Sequence, residues 1–261
     1  MFSEYCFPNI YLFRHVHDYR FVPGPRPVIR GATYDGATVV MPLFDVAQAS
    51  LDELRTLLAG ADCFYPVDAE RTRHLDPQRI DLHWNDADAD YIYRTERLAL
   101  YEGAELKEKR RLSAKFVREA APVTRPFDAS ALDDGFAILD QWFADVEKPW
   151  AETDYRACRE ALEHWQALGL FGVICHTGDG EPAGFLLASK VRRDVAAVHF
   201  AKGKRKFDGV FPHMFNQLAA TAAAEFTYLN FEQDLGKEGF RQSKRSYAPE
   251  FMLRKYRLSL R

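Results

Sequence analysis

A run of acidic, basic and aromatic residues near the C-terminus carries the side chains best suited to chemistry. Asn230, Glu232 and Asp234 alternate along a short segment, so a strand would point all three to one face and send Leu229 and Phe231 to a core. An internal strand of a covered sheet is normally apolar on both faces. Three polar groups on one side therefore indicate either a cleft or a buried polar network.

Two interpretations of these acids follow. In a catalytic site, Glu232 or Asp234 acts as a general base or anchors a substrate ammonium. In a scaffold, the acids cap the next helix and pair with Arg241 and Lys244, because structural ion pairs resemble sites. Glu232 favours the site interpretation because it shares its predicted face with Asn230. Asp234 lies close to the predicted helix start and favours capping.

The segment that follows predicts a helix with a basic face. Lys237, Arg241 and Lys244 are spaced by four and three residues, which places them close together on a helix. Such a face is either solvated or part of a binding site. Tyr247 follows at the helix end, and its phenol is a candidate proton donor to a leaving group. The candidate substrate-binding residues are Asn230, His199, Arg241 and Lys244.

The loop at 202–209 is a second charged feature. It precedes a long predicted helix, whose first turn offers unpaired N–H groups and the positive end of the helix dipole. Lys204, Arg205, Lys206 and Gly209 therefore predict a site for the phosphates of a coenzyme or of tRNA. The alternative is a mobile, charged surface loop.

The basic segment 107–118 is a third charged feature, and it either contacts RNA or an anionic headgroup or is simply solvated. His15 and His17 would share a strand face, yet a third ligand is not apparent, so we assign no metal site. The chain contains no HExxH, GxSxG, GxGxxG or GxxxxGK[ST] motif, so zinc hydrolases, nucleophile elbows, dinucleotide sites and Walker loops have no support.

The elements that must position these residues are clearest in the second half. Apolar residues recur at helical spacing over 132–146 and 155–165, and Gly169 ends the second helix. Three apolar runs follow at 170–176, 183–189 and 195–201, joined by tight turns that include Asp179-Gly180. A long apolar helix, a strand at 228–232 and a final helix near Gly236 complete an order found in the GNAT acyltransferase fold. The helical crossover makes the strand at 228–232 parallel to the strand that carries His199.

The first half predicts a second α/β unit. Segments 38–44, 63–67 and 91–94 have strand character, and Ser50 and Glu53 form a capping box that opens a helix. Two prolines within 121–130 predict a linker. We therefore predict an α+β protein with a degenerate N-terminal GNAT-like domain over 1–125 and a C-terminal GNAT-like domain over 126–261.

Composition narrows the class of protein. The 261 residues are 47% hydrophobic and 28% charged, with a net charge of -3, which indicates a folded chain and disfavours a globally basic nucleic-acid binder. No apolar stretch approaches the ~20 residues of a membrane span, and the N-terminus lacks a signal-peptide pattern. The four scattered cysteines predict reduced, buried thiols, and we expect a cytoplasmic location.

The C-terminal motif also carries a family resemblance. Residues 230–249 read N-x-E-x-D-L-G-x-x-G-x-R-x-x-K-x-S-Y-x-P and are followed by Lys255-Tyr256. This pattern, with Tyr91-Ile-Tyr93, Gly103 and the segment 109–116, resembles the phosphatidylglycerol lysyltransferase C-terminal-like family, which is related to GNAT and Fem-type aminoacyltransferases. The resemblance implies a tandem GNAT-like fold and transfer of an aminoacyl or acyl group to an amine or hydroxyl.

Two functions are consistent with these features. The first is an acyltransferase whose donor is aminoacyl-tRNA or acyl-CoA, with donor phosphates at 204–206 and an acceptor amine beside Glu232 and Asp234. Tyr247 would then stand near the leaving group. The acceptor would be a small molecule, a peptide or a lipid headgroup. The second is a non-catalytic GNAT-like module that binds a charged metabolite, peptide or RNA.

Overall fold

The computed structural model describes residues 1–261 and contains eight α-helices and thirteen β-strands. The helices are α1 (Phe7–Phe13), α2 (Leu51–Leu58), α3 (Thr95–Leu100), α4 (Lys107–Ala120), α5 (Leu132–Val146), α6 (Tyr155–Glu163), α7 (Val210–Ala222) and α8 (Glu238–Arg245). The strands are β1 (Arg20–Val22), β2 (Val28–Ala32), β3 (Thr38–Pro42), β4 (Cys63–Val67), β5 (Ile80–Trp84), β6 (Asp90–Arg94), β7 (Val123–Pro126), β8 (Phe171–His176), β9 (Pro182–Arg192), β10 (Val195–Gly203), β11 (Tyr228–Asn230), β12 (Phe251–Leu253) and β13 (Tyr256–Leu260).

The first sheet has six strands in the order β1-β2-β3-β4-β13-β5. β3 and β4 are parallel, while β13 is antiparallel to both of its neighbours. α2 lies between β3 and β4 and begins at the predicted capping box, in which Ser50 and Glu53 exchange side-chain and backbone hydrogen bonds. Apolar residues from this helix and from the sheet, among them Leu54 and Phe64, form one core.

The second sheet has seven strands in the order β12-β6-β11-β10-β9-β8-β7. β8, β9 and β10 form the predicted antiparallel meander. β10 and β11 are parallel and joined through α7, which confirms the crossover prediction. α7 packs on one face of the sheet and α5 on the other, each with its own apolar core. The protein is therefore a mixed α+β fold with two mixed sheets flanked by helices.

The two sheets exchange strands along the chain. β6 and β7, from the first 126 residues, belong to the second sheet, and the last strand, β13, belongs to the first. Each sheet is thus completed by a segment distant in sequence, and the two sheets are tied together. The division into domains 1–125 and 126–261 stays a prediction.

The prediction of a linker at 121–130 is wrong. Residues Val123–Pro126 form β7, which pairs antiparallel with β8 at the edge of the second sheet. Proline is compatible with an edge strand because its missing N–H can face away from the ladder. The four cysteines are free and buried, as predicted. No helix combines the length and the apolar composition that crossing a bilayer requires.

Candidate acid–base site where two parallel strands separate

The candidate site lies where β10 and β11 part. The two strands pair over three positions only, from Val195 opposite Tyr228 to Ala197 opposite Asn230. β10 then continues to Gly203, whereas the chain beyond Asn230 leaves the strand and adopts a left-handed backbone at Glu232, with φ of 60°. The predicted strand to residue 232 is therefore too long, and the expected alternation of Asn230, Glu232 and Asp234 on one face is wrong.

Lys244 of α8 stabilises the backbone that has left the strand. Its ammonium donates to the carbonyl oxygens of Phe231 (2.6 Å), Glu232 (3.2 Å) and Gln233 (2.6 Å). The predicted pairing of Lys244 with carboxylates is therefore wrong, because backbone carbonyls hold it. Burial lowers the pKa of Lys244 to about 8, against the opposing effect of the Glu232 and Asp90 charges.

Glu232 forms an ion pair with His199. Oε1 of Glu232 lies 2.9 Å from Nδ1 of His199 and also accepts a hydrogen bond of 2.9 Å from the Asn9 amide. Burial disfavours both charges, yet each charge stabilises the other. The pKa of His199 is raised to about 10 and that of Glu232 is lowered. The pair is therefore ionised at neutral pH.

The geometry leaves one carboxylate oxygen of Glu232 for a bound group. Both donors converge on Oε1, and the Glu232 side chain keeps 17% of its surface exposed, whereas the His199 side chain has none. An ionised carboxylate with a lowered pKa is a weak base near neutral pH. It is well suited to accept a hydrogen bond from an ammonium, amine or hydroxyl.

Asp234 has a different set of partners. It accepts hydrogen bonds from the Tyr91 hydroxyl (2.8 Å), the Gly236 N–H (2.9 Å) and Nε of Arg241 (2.9 Å). The predicted pair with Arg241 is present. The predicted capping of α8 is wrong, because Lys237 occupies the N-cap position and Asp234 closes the turn before it. Its side chain is fully buried, so all its contacts are with the protein.

Asn230 faces a second buried cluster between the sheets. Its amide donates to Oδ2 of Asp90 (2.8 Å) and to the Met1 carbonyl (3.1 Å). The Lys255 ammonium lies 2.6 Å from Oδ1 of Asp90 and donates to Glu4. Burial raises the pKa of Glu4 to about 7 although Lys255 opposes the shift. This cluster joins the N-terminal segment, the second sheet and the C-terminal motif.

Tyr247 lies in an aromatic cluster. Its ring packs edge-on against Phe215 and Phe231, and the Lys109 ammonium lies 4.1 Å from its ring centroid. Burial raises the pKa of the Tyr247 phenol, which disfavours its ionised form. This packing buries the Tyr247 side chain, and its role in leaving-group protonation stays a prediction.

Two lysines of the basic loop share one acid. Lys204 and Lys206 lie 2.8 Å and 2.7 Å from the two carboxylate oxygens of Glu181. These three residues and Arg205 line a cavity of about 460 Å³, together with Gln141, Ala144, Asp145 and Glu147 of the α5 end. The cavity thus combines cations and carboxylates. Phosphate binding by this loop stays a prediction.

Gly209 precedes α7 with φ of 88°, a conformation that favours glycine. A Cβ at this position would collide with the backbone carbonyl of Leu112 in α4. The glycine therefore permits α4 to pack closely against the start of α7. This packing gives Gly209 a structural reason that is independent of any phosphate.

Sequence reasoning missed several residues of the site. Asn9 and Cys6 come from the N-terminal segment, where nothing in the local pattern indicates a site. Ser189, which contacts His199, was available as a polar residue at the end of an apolar strand run. Lys255 was recognised only as part of the C-terminal motif, without a predicted partner. Asn9, Cys6 and Lys255 have partners that are distant in sequence, whereas Ser189 meets His199 across the hairpin of β9 and β10.

Comparison with known proteins shows that this fold is similar to that of FemX. The structure of FemX aligns with a TM-score of 0.62 at 9% sequence identity, covering 98% of this chain and 91% of that one. The family described as "Phosphatidylglycerol lysyltransferase, C-terminal" matches residues 2–259. The chain therefore belongs to this family, and the predicted family resemblance is confirmed.

Two further solved structures are similar over nearly the whole chain. A conserved protein of unknown function from Bacteroides thetaiotaomicron has a TM-score of 0.84 at 25% identity, covering 99% of this chain and 91% of that one. The C-terminal domain of a putative lysylphosphatidylglycerol synthetase from Agrobacterium fabrum has a TM-score of 0.64 at 13% identity, covering 95% and 86%. No curated protein matches the sequence.

Proposed function

We propose that this protein transfers an aminoacyl group from aminoacyl-tRNA to an amine or hydroxyl acceptor at the point where β10 and β11 separate. Acyl-CoA is the second donor class in this proposal. One observation carries the proposal. Glu232 presents a single carboxylate oxygen at the strand separation, while His199 and Asn9 hold the other oxygen.

Glu232 contributes chiefly by binding and orientation. In the reaction, the ester bond between the aminoacyl group and the tRNA ribose breaks, a new amide or ester bond forms with the acceptor, and the proton that the acceptor loses passes to the ribose oxygen. The ionised carboxylate accepts a hydrogen bond from an N–H or O–H of the acceptor, or from the ammonium of the donor. Fixing that group near the acyl carbon reduces the entropic part of the barrier. His199 keeps the carboxylate ionised and fixes its rotation.

The remaining candidate residues have supporting roles in this proposal. Arg241, through its bond to Asp234, and Lys244, through its three carbonyl contacts, hold the turn that carries Glu232. Arg205 and its neighbouring lysines would meet the donor phosphates. The acceptor is a small molecule, a peptide or a lipid headgroup. The ligand that binds beside Glu232 decides among these classes.

A non-catalytic binding module is the second candidate. The observation that favours it is that two acids of this region already have protein partners. Asp234 and Asp90 are fully buried and pair with Arg241 and Lys255. Such a module would bind a charged metabolite, peptide or RNA through Glu232 and catalyse no transfer.

The variant Glu232→Gln tests the proposal. We expect it to lower the melting temperature, because His199 stays buried without its counter-charge, and to lower transfer of radiolabelled amino acid from a charged tRNA pool, per folded molecule, about a hundredfold. Glu225→Gln is the matched control, since Glu225 forms an exposed pair with Lys190. A purely structural role would lower the free energy of unfolding by about 1–3 kcal/mol and leave the specific activity of the folded protein unchanged. Wild-type protein that binds acceptors in calorimetry but transfers nothing would favour the binding module.

A further inference from the structure

A chain of contacts continues behind Glu232 into the protein interior. Nε2 of His199 lies 2.7 Å from Oγ of Ser189, which in turn lies 3.7 Å from Sγ of Cys6. Ser189 belongs to β9 and His199 to β10, whereas Glu232 follows β11 and Cys6 precedes α1. Four elements therefore meet in one line of polar atoms that runs from Cys6 to Glu232.

Two proton arrangements fit these distances. In the first, His199 is protonated on both nitrogens, so that Nε2–H donates to Ser189 and the serine hydroxyl donates to Cys6. In the second, His199 is neutral and accepts the serine proton at Nε2, while Nδ1–H donates to Glu232. The second arrangement is that of a Ser-His-Glu triad with serine as nucleophile.

Exposure distinguishes the two arrangements. The attacking oxygen of a triad must touch the acyl carbon, yet Ser189 is only 1% exposed and lies beneath Cys6. Glu232 is the exposed end of the chain of contacts. A ligand can therefore reach the Glu232 carboxylate but not the Ser189 hydroxyl. A serine nucleophile requires the opposite arrangement.

The charged surroundings also favour the ionised carboxylate. Lys244 and Lys255 both act on Glu232 electrostatically, and Asn9 donates to it. His17 lies near enough to feel the Glu232 charge, but burial lowers its pKa. Cys6 faces Ser189 and His199 from the N-terminal segment. These groups favour a negative carboxylate and hence a doubly protonated ring beside it.

We propose that Ser189 is a positioning residue, whose hydroxyl accepts the Nε2–H of His199 and thereby fixes the ring so that Nδ1–H holds Oε1 of Glu232. Oε2 of Glu232 is then directed toward the acceptor. Cys6 completes the arrangement by accepting the serine hydroxyl hydrogen. This inference rests on the proposed function, because positioning matters only if Glu232 binds a reactant.

The first test requires no activity. In wild-type protein labelled with ¹⁵N-histidine, we expect the His199 ring to show two protonated nitrogens at pH 7.5 by NMR. In Ser189→Ala the Nε2 proton loses its acceptor, so its resonance shifts and its exchange with water accelerates. An unprotonated Nε2 in the wild type would overturn the proposal. This measurement holds even if the variant folds poorly, since it is made on the wild type.

The second test uses transfer from a charged tRNA pool. We expect Ser189→Ala to lower kcat/KM about tenfold, the size typical of partners that orient an active group. Ser189→Thr should restore most of the loss, and Thr72→Ala, at a buried hydroxyl that donates to the Ala69 carbonyl, should have no effect. In a Glu232→Gln background the serine change should add nothing. Equal losses in both backgrounds, or a labelled aminoacyl group found on Ser189 by mass spectrometry, would overturn the proposal.

If wild-type protein shows two protonated ring nitrogens but no transfer with any donor, the proposed function fails while the hydrogen-bond arrangement stands. If transfer is present and unaffected by Ser189→Ala, the positioning role fails while the proposed function stands. The two experiments therefore separate the two claims.

Discussion

Two regions of this molecule have a similar mixture of charges but a very different environment. Glu232 pairs with His199 where β10 and β11 separate, and in the neighbouring buried cluster Lys255 pairs with Asp90 and with Glu4, which comes from the opposite end of the chain. In the basic loop at 204–206, Lys204 and Lys206 pair with Glu181, which lies on the neighbouring hairpin. The side chains of the first set are at most 17% exposed, whereas Glu181 and Lys206 of the second set are 34% and 59% exposed.

The difference shows that burial, and not charge content, determines what a pair does. An exposed pair competes with water and salt, so it contributes little to stability and can open to admit a ligand. A buried pair cannot lose one member cheaply, because the remaining charge stays in a poorly solvated place. The buried cluster is therefore suited to fixing geometry, and the loop is suited to exchanging partners.

The largest expected effect comes from Lys255→Met. This change leaves Glu4 and Asp90 buried without their shared cation, and we expect it to lower the free energy of unfolding by about 3–5 kcal/mol in urea titrations. Lys190→Met removes an exposed partner of Glu225 and should cost less than about 1 kcal/mol. Similar losses for the two variants would contradict the contrast between buried and exposed pairs.

A smaller effect should appear in the pH dependence of stability. The pKa of His199 is raised from 6.5 to about 10 in the folded state, so its contribution is complete below pH 6.5 and is lost as the pH rises toward 10. The difference in unfolding free energy between wild type and His199→Gln should therefore shrink over this range, by at most about 1.4 kcal/mol per pH unit for one proton.

The comparison with His199→Gln is needed because other groups titrate as well. The pKa of Lys244 is lowered from 10.5 to about 8 in the folded state, so its contribution to the free energy of unfolding rises between pH 8 and 10.5. The pKa of Glu4 is raised from 4.5 to about 7 in the folded state, so its contribution to the free energy of unfolding falls between pH 4.5 and 7. Wild type and His199→Gln share both contributions, so they cancel in the difference between the two proteins. A difference curve that rises with pH would contradict the assigned ion pair.

The sequence predicted the elements whose signals are local. The capping box at Ser50, the meander from β8 to β10 and the parallel return of β11 each follow from spacing, turn residues or the crossover rule. β13 and β7 were not predicted, because their place depends on partners that lie elsewhere in the chain and not on their own pattern. β7 also contains Pro126, one of the two prolines that predicted a linker.

The same distinction applies to the candidate site. Glu232 and Asp234 were found from their polar character in an apolar segment, and His199 was placed in the candidate set. Asn9 and Ser189, which complete the contacts around them, lie 223 and 10 residues from their partners. The left-handed backbone at Glu232 also escaped prediction, because such a φ is unusual for a glutamate. It is this turn that separates the partners of Glu232 from those of Asp234.

The smallest expected effect concerns the basic loop, and Glu181→Gln sharpens it. Glu181 holds Lys204 and Lys206, and their charge pulls its pKa below the ordinary value, so it is ionised at neutral pH. Removing its charge frees both lysines beside Arg205 in the same cavity. If this loop meets donor phosphates, the variant should bind inorganic pyrophosphate about threefold more tightly at low salt, a gain that fades as screening increases.

Reversing the charges of Lys204, Arg205 and Lys206 together should weaken binding under the same conditions. Calorimetry of both variants at low and high salt decides the matter: unchanged affinity in both would remove the loop from the donor site and leave the buried cluster as the functional region.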